Sequence, residues 1–269
     1  IKELTRELEP YNIREHSGFL RNVIIRVAAN TGDIMVNIVT SREDTDTLSP
    51  ITETLISQFP HVTSIVNNIT TRKAGVSTGE HQIVLHGNEY IVEKLGDYEF
   101  MISADSFFQT NTKQAEKLYD IILEESQLTG SEIVYDLFCG TGSISLFLSK
   151  HAKMVYGFEL VMSAVQDAMQ NAIHNKVKNA WFFGGNLENL FRENTEAKEL
   201  DAPDVVVVDP PRAGLHTKTI EDILEKSPKR IVYVSCNPAS QARDVALLCN
   251  EKYKLKKLRP VDMFPHTPH

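Results

Sequence analysis

Apolar and polar residues follow two different patterns in this chain, with the change near Ser103. Residues 19–40 form two β-rich runs joined by a turn at 30–33, which predicts a hairpin. Residues 48–59 have helical spacing, and residues 80–102 return to short strands with turns at 87–88 and 96–97. We therefore expect residues 1–102 to form a small α+β subdomain.

Beyond Ser103 the pattern becomes a regular alternation of amphipathic helices and apolar strands. The predicted helices cover 114–126, 143–150, 163–175 and 217–225, and the predicted strands cover 133–138, 155–159, 180–183, 204–208 and 230–235. Strands this apolar are buried on both faces, which requires a parallel sheet covered by helices. Residues 103–269 are thus predicted to be an α/β domain with a doubly wound, Rossmann-like sheet.

Composition narrows the class of protein. No stretch of eighteen apolar residues occurs, and the first residues lack the pattern of a secretory signal, so we expect a cytoplasmic protein without a membrane partner. Three scattered cysteines, Cys139, Cys236 and Cys249, favour free thiols over a disulfide framework or a metal site. A net charge of -8 argues against a non-specific nucleic-acid binder, although an enzyme that flips one base can bind through a local patch.

A glycine loop follows the first strand of the second domain. The strand at 134–138 leads into Gly140 and Gly142 and then into a helix, and glycine at a strand end lets the backbone approach a ligand. The next strand ends in Glu159, which can accept both ribose hydroxyls of a nucleoside cofactor. Because the loop matches neither GxGxxG nor GK[ST], S-adenosylmethionine fits better than a dinucleotide or a triphosphate.

Two further polar residues follow strands at the same predicted edge. Asn186 is placed to meet the adenine edge, with a turn-forming asparagine as its alternative. Asp209 ends the run DVVVVD, and Pro210 and Pro211 restrain the loop after it. We expect both side chains in the cofactor crevice.

Cys236 follows the last well-marked strand and lies in the predicted loop CNPAS. Carbon-5 of uracil is a poor nucleophile, but addition of a thiolate to carbon-6 produces an enolate that can attack a sulfonium methyl group. This chemistry needs one cysteine and one base. Cys139 and Cys249 are better explained as structural cysteines.

Six segments together resemble the RNA uracil-5-methyltransferase family, which includes enzymes that form 5-methyluridine in 23S ribosomal RNA and in transfer RNA. They are SADSFFQTN, YDLFCGTGSISL, VYGFE, VVVDPPRAG, VSCNPAS and PVDMFPHTPH. The resemblance implies a class I fold that uses S-adenosylmethionine and an RNA substrate, with ribosomal RNA favoured over transfer RNA. It also implies that Cys236 is the nucleophile and that five residues surround the cofactor: Gln109, Phe138, Glu159, Asn186 and Asp209.

The chain departs from the family pattern in three respects. The pattern continues past the last histidine with Val-Glu, so the expected general base lies beyond His269. The four-cysteine iron-sulfur cluster and the small β-barrel of some relatives are not matched in this sequence.

In the first hundred residues, we expect phosphate contacts from Arg21, Arg26, Arg72 and Lys73.

Three alternative functions stay open at this level. An amino-methyltransferase would hold its amine with an aromatic residue after Pro-Pro, but Arg212 stands there. A cytosine-5-methyltransferase would use similar covalent chemistry. A catalytically inactive module that binds S-adenosylmethionine and RNA would have no use for Cys236.

Overall fold

The structure is a computed structural model that describes residues 5–6, 8–73, 79–188 and 195–267. The chain divides into two compact units: unit 1, Ile1–Ser106, and unit 2, Phe107–His269.

Unit 1 contains a four-stranded sheet, one helix and a two-stranded hairpin. Its elements are β1 (Leu20–Val27), β2 (Ile34–Thr40), α1 (Thr45–Gln58), β3 (Ser64–Ile69), β4 (His81–Gly87), β5 (Tyr90–Leu95) and β6 (Tyr98–Ser103). The sheet has the order β1-β2-β3-β4, in which β2 and β3 are parallel and the other pairs are antiparallel. The predicted hairpin at 19–40 and the predicted α+β class are confirmed.

Strand β3 was not predicted, because two asparagines interrupt its apolar pattern. All six of its residues are buried. The Asn67 amide donates to the Ile38 carbonyl at 2.8 Å and to the Thr40 hydroxyl at 3.0 Å, so the polar group is satisfied inside the sheet. A sequence pattern based on apolar residues does not register a strand of this kind.

Unit 2 contains a five-stranded parallel sheet, which confirms the predicted doubly wound class. Its elements are α2 (Thr112–Ser126), β7 (Ile133–Leu137), α3 (Ser143–Ser149), β8 (Met154–Glu159), α4 (Met162–His174), β9 (Ala180–Gly184), α5 (Thr195–Glu199), β10 (Val205–Val208), α6 (Thr217–Lys226), β11 (Arg230–Tyr233) and α7 (Pro238–Glu251). The strand order is β11-β10-β7-β8-β9, so the direction of winding reverses between β7 and β10. Ligands of such sheets bind at the carboxyl ends of the strands near this switch point.

The central strands β7 and β10 of unit 2 are buried on both faces. Tyr135, Leu137 and Phe158 are almost fully buried, and they pack in one core cluster with Val206 and Val208. Helix α7 corrects the prediction of a loop at CNPAS, since Pro238 is its first residue and Asn237 is its N-cap. Proline is favoured in the first turn of a helix because its missing N–H would have no helical partner there.

Candidate cofactor and nucleophile site

One row of paired residues crosses the whole sheet of unit 2 near its carboxyl edge. Tyr233, Val208, Leu137, Phe158 and Phe183 are neighbours in register along β11, β10, β7, β8 and β9. The site residues predicted from the sheet follow this row. Phe138, Asp209 and Glu159 come one residue after it, and Asn186 and Cys236 come three residues after it. The fold therefore brings these five residues to the same edge.

The glycine loop has three left-handed positions, at alternate residues, with different surroundings. Phe138 has φ of 65°, Gly140 of 54° and Gly142 of 79°. A Cβ atom on Gly142 would lie 2.9 Å from the Phe182 ring, whereas one on Gly140 would meet no atom within 4 Å. Gly142 is thus required for packing, and Gly140 leaves its side of the loop open to a ligand. A left-handed conformation costs about 1 to 3 kcal/mol in a residue such as Phe138, and strain of this kind concentrates at functional sites.

Both carboxylate oxygens of Glu159 are held at the end of β8. One accepts the Gly140 N–H at 3.1 Å, and the other accepts the Val161 N–H at 2.9 Å. Each oxygen keeps further acceptor capacity. Glu159 is therefore a fixed acceptor beside the open face of Gly140.

Asp136 is a buried carboxyl beneath the loop that the sequence analysis missed. Its Oδ2 accepts the Ser145 hydroxyl at 2.5 Å, and its Oδ1 is buried without a hydrogen-bond partner among the described residues. Burial raises the pKa of Asp136 to about 7, and the nearby charges of Asp209 and Glu159 act in the same direction. The signal that could have revealed it is a charged residue inside the otherwise apolar strand β7.

Asp209 follows β10 directly beside β7. Its N–H donates to the Leu137 carbonyl at 3.3 Å, and burial raises its pKa from 3.8 to about 6. The buried Tyr119 hydroxyl lies 2.7 Å from the Ser143 hydroxyl, and its pKa is raised by burial and by the charges of Asp209 and Asp136. The charges of Asp209 and Glu159 thus both act on the Asp136 carboxyl at this edge.

Two other predicted cofactor residues occupy less constrained positions. Gln109 is half-buried and precedes Asn111, the N-cap of α2. Asn186 is exposed, and its side-chain oxygen accepts the Glu188 N–H at 3.0 Å, which is the turn that the sequence also allowed.

The three cysteines differ in exposure. Cys236 is exposed, Cys249 is half-buried and Cys139 is buried, with a pKa raised by that burial. Cys236 lies between the end of β11 and the N-cap Asn237. Only this thiol is both accessible and at the carboxyl edge of the sheet, and accessibility is required of a nucleophile.

The proline loop after β10 is joined to the cysteine segment. The Arg212 carbonyl accepts the Asn237 side-chain amide at 2.9 Å and the Ser240 hydroxyl at 3.1 Å. The Gly214 N–H donates to the Pro211 carbonyl at 2.8 Å and closes a turn within the loop. Asp209 and Cys236 therefore belong to two connected segments.

Most of the basic side chains of unit 1 that were predicted to contact phosphates have partners within the unit. Arg26 donates to the carbonyls of Ser106 and Ala104 at 2.6 and 2.9 Å. Arg21 donates to the Thr70 carbonyl and lies over the Tyr11 ring, and Arg72 is 3.5 Å from Glu80. Arg21 and Arg26 thus contribute to packing, and Lys73 is exposed.

Two histidines, His266 and His269, are among the last four residues of the sequence. His266 is exposed with φ of 67°, and His269 lies outside the described residues. Among the residues that the structure describes, no three His, Cys, Asp or Glu side chains form a group that could hold a metal ion. Within the same part of the chain, no helix is long and apolar enough to cross a membrane.

The strand order, the glycine loop and the acidic end of β8 define a class I methyltransferase fold. Residues 27–269 match the model of the tRNA (uracil-5-)-methyltransferase family, and the chain belongs to that family. The chain is 45% identical to an uncharacterized RNA methyltransferase of Chlorobaculum tepidum over 99% of its length, and 42% identical to one of Enterococcus faecalis over 100% of its length.

The chain spans 55% and 59% of the lengths of these two relatives. Among solved structures, it resembles the tRNA (uracil-54, C5)-methyltransferase of Pyrococcus abyssi in complex with S-adenosyl-L-homocysteine. The TM-score is 0.78 at 34% identity, and the match covers 100% of this chain and 63% of the other.

Proposed function

We propose that this chain carries the catalytic region of an enzyme that transfers a methyl group from S-adenosylmethionine to carbon-5 of a uridine in RNA. The observation that carries the proposal is an exposed thiol, that of Cys236, at the same sheet edge as a glycine loop and three carboxyl groups. The family membership and the ligand named for the Pyrococcus abyssi structure support the cofactor.

The residues at the carboxyl edge fit S-adenosylmethionine in their chemical type and in their sequence of positions along the edge. Glu159 would accept the ribose hydroxyls. The open side of Gly140 would let the ligand lie close to the backbone of the loop. Asn186 would meet the adenine, and Phe138 and Gln109 would cover the nucleoside. Asp136 and Asp209 flank the switch point, where their ionised forms complement a cation. When bound, the cofactor supplies an electrophilic methyl group on a sulfonium.

The order of strands separates the cofactor side of the edge from the nucleophile side. Neighbouring strands lie about 4.8 Å apart, so β11 is about 10 Å from β7 and β8 lies on the far side of β7. A uracil ring above β10 would have Cys236 on one side and the methyl donor on the other. Asp209 directly follows the last residue of β10, so its carboxyl lies at the end of the strand above which the ring would sit.

In the proposed reaction, Cys236 attacks the uracil ring before the methyl group is transferred. The Cys236 thiolate forms a bond to carbon-6, and the electron pair displaced to carbon-5 attacks the methyl group, whose bond to sulfur breaks. A base then removes the carbon-5 proton, and the returning electron pair breaks the bond between sulfur and carbon-6. The thiolate is regenerated for the next cycle.

Ribosomal RNA is the substrate that we expect from the sequence resemblance. Transfer RNA is the second candidate, because the Pyrococcus abyssi protein is a tRNA (uracil-54, C5)-methyltransferase. Mass spectrometry of nucleosides from both RNAs, purified from cells with and without the gene, tests the proposal. Loss of 5-methyluridine from one of them identifies the substrate, and unchanged 5-methyluridine in both refutes the proposed reaction.

We also propose that unit 1 contacts the RNA backbone, with Lys73 and Arg72 as the exposed basic side chains. Each phosphate contact with a single strand contributes about 0.7 to the slope of log affinity against log salt. Substitution of both residues by Gln would lower the slope by about 1.4. An unchanged slope would place the phosphate contacts elsewhere, and Lys198→Gln in α5 of unit 2 serves as the control.

A further inference from the structure

The carboxylate of Asp244 forms the centre of a buried cluster behind the cysteine segment. Asp244 lies on α7, eight residues after Cys236, and is fully buried. Its Oδ2 accepts the Tyr233 hydroxyl at 2.7 Å and the Leu215 N–H at 2.7 Å. Its Oδ1 accepts Nε and Nη2 of Arg243 at 2.8 and 2.7 Å. Both oxygens of the buried carboxylate thus have partners within the protein.

The Asp244 cluster joins three segments: the end of β11, helix α7 and the loop after β10. Tyr233 is the last residue of β11, so its bond to Asp244 closes the turn from strand to helix in which Cys236 lies. The Gln241 amide donates to the Tyr233 carbonyl at 3.1 Å and closes the same turn a second time. Leu215 belongs to the loop that begins at Asp209, so its bond ties that loop to α7.

Arg243 and Gly214 complete the attachment of the proline loop. Arg243 Nη2 donates to the carbonyls of Ala213 and Leu215 at 2.9 and 3.3 Å. Gly214 has φ of 82°, and a Cβ atom there would lie 2.5 Å from the Asp244 carboxylate. The loop can approach the carboxylate this closely because residue 214 has no side chain.

From this geometry we infer that Asp244 is a positioning residue, which through Tyr233 and Leu215 fixes the Cys236 thiol relative to Asp209. The inference rests on the proposed function, since it assigns a task only if Cys236 attacks the base. Burial of a carboxylate is costly unless its partners are in place, so the cluster has one strongly preferred arrangement. A displacement of about 1 Å at a reacting group can cost about 10²-fold in rate.

The test compares Asp244→Asn and Tyr233→Phe with Asp222→Asn in the full-length protein. Asp222 is a buried carboxyl of the neighbouring helix α6, and it serves as the matched control. The substrate RNA is transcribed with 5-fluorouridine. Its carbon-5 carries fluorine in place of the proton that the base removes, so the last step is blocked and the covalent adduct accumulates. The rate and the final amplitude of adduct formation are measured with saturating S-adenosylmethionine, and the affinity for S-adenosylhomocysteine is measured by calorimetry.

We expect Asp244→Asn to slow adduct formation about 10²-fold, with the amplitude and the affinity for S-adenosylhomocysteine within twofold of the wild type. Tyr233→Phe should slow it less, because one donor is lost and the carboxylate stays, and Asp222→Asn should leave the rate unchanged. A protein that is merely less folded would lose amplitude and affinity together. If Asp244→Asn does not fold, Tyr233→Phe decides the question.

Two outcomes separate the inference from the function on which it rests. If the wild-type protein forms no adduct, the proposed function fails. If the wild-type protein forms the adduct and Tyr233→Phe and a folded Asp244→Asn form it at the same rate, the positioning role is refuted and the function stands.

Discussion

The two halves of the carboxyl edge in unit 2 are held in place by different means. On the cofactor side, backbone groups make most of the bonds: the N–H groups of Phe138 and Cys139 donate to the Phe158 carbonyl, and the Gly185 N–H donates to the Glu159 carbonyl. On the nucleophile side, side chains make them, with Asp244 at the centre. A backbone site depends on a few glycines and a short motif, whereas a side-chain site depends on residues far apart in the sequence.

Cys236→Ala tests most severely whether the two halves act separately. The variant should lose covalent attachment to 5-fluorouridine RNA and methyl transfer altogether, because no other described thiol is exposed at this edge. Its affinity for S-adenosylhomocysteine should equal that of the wild type. Gel analysis of the adduct and calorimetry check the two expectations, and a parallel loss of cofactor affinity would show that the halves are not independent.

Asp136→Asn tests how much the buried carboxyl on the cofactor side lowers the free energy of unfolding when it ionises. In the native state its pKa is about 7 instead of 3.8, so between these pH values the native state holds more protons than the unfolded state. The free energy of unfolding should therefore fall as pH rises from about 4 to about 7, by about 4 kcal/mol from this group. Denaturant unfolding across this range should show a flatter profile for Asp136→Asn, and an identical profile would contradict the assignment.

The same carboxyl should link cofactor binding to proton release. A cationic ligand favours the ionised form of Asp136, so binding near pH 7 should release a fraction of a proton from this group. Calorimetry in buffers of different ionisation enthalpy measures the release. Asp136→Asn should lower it, and no change in the variant would assign the proton to another group, such as Asp209.

Glu159→Ala tests the fixed acceptor on the cofactor side and should have a smaller effect. Loss of hydrogen bonds to a charged group should weaken binding of S-adenosylhomocysteine by about 1.5 to 3 kcal/mol. The matched control is Glu132→Ala, since Glu132 also accepts backbone N–H groups but lies at the amino end of β7. Equal affinities of the two variants in calorimetry would remove Glu159 from the site.

Cys249→Ser should have the smallest effect and sets the baseline for the nucleophile side. Cys249 lies in the last turn of α7, away from the cysteine segment, and is half-buried. The rate of adduct formation should stay within about twofold of the wild type, as expected for a substitution outside the site. A large decrease would mean that the nucleophile had been assigned to the wrong cysteine.

The elements of unit 2 were predictable because burial on both faces leaves long apolar runs, as in β10, where all four residues are valine. Strand β3 of unit 1 was not, because Asn67 and Asn68 are polar in sequence and buried in the sheet. Helix α7 was not predicted at all, since Asn237 and Pro238 belong equally to turns and to the first residues of helices, and its start was therefore taken as a loop.

Local patterns in the amino-acid sequence were enough to predict the fold class of unit 2, the glycine loop and the residues that follow each strand, because parallel strands bring their carboxyl ends to one edge. Which charges are buried at that edge became visible only in the folded chain. The pKa of Asp136 depends first on its burial and then on Ser145, Asp209 and Glu159. The cluster at Asp244 depends on Leu215, 29 residues earlier in the chain. Burial and hydrogen bonding between distant residues arise from packing, and local sequence does not encode them.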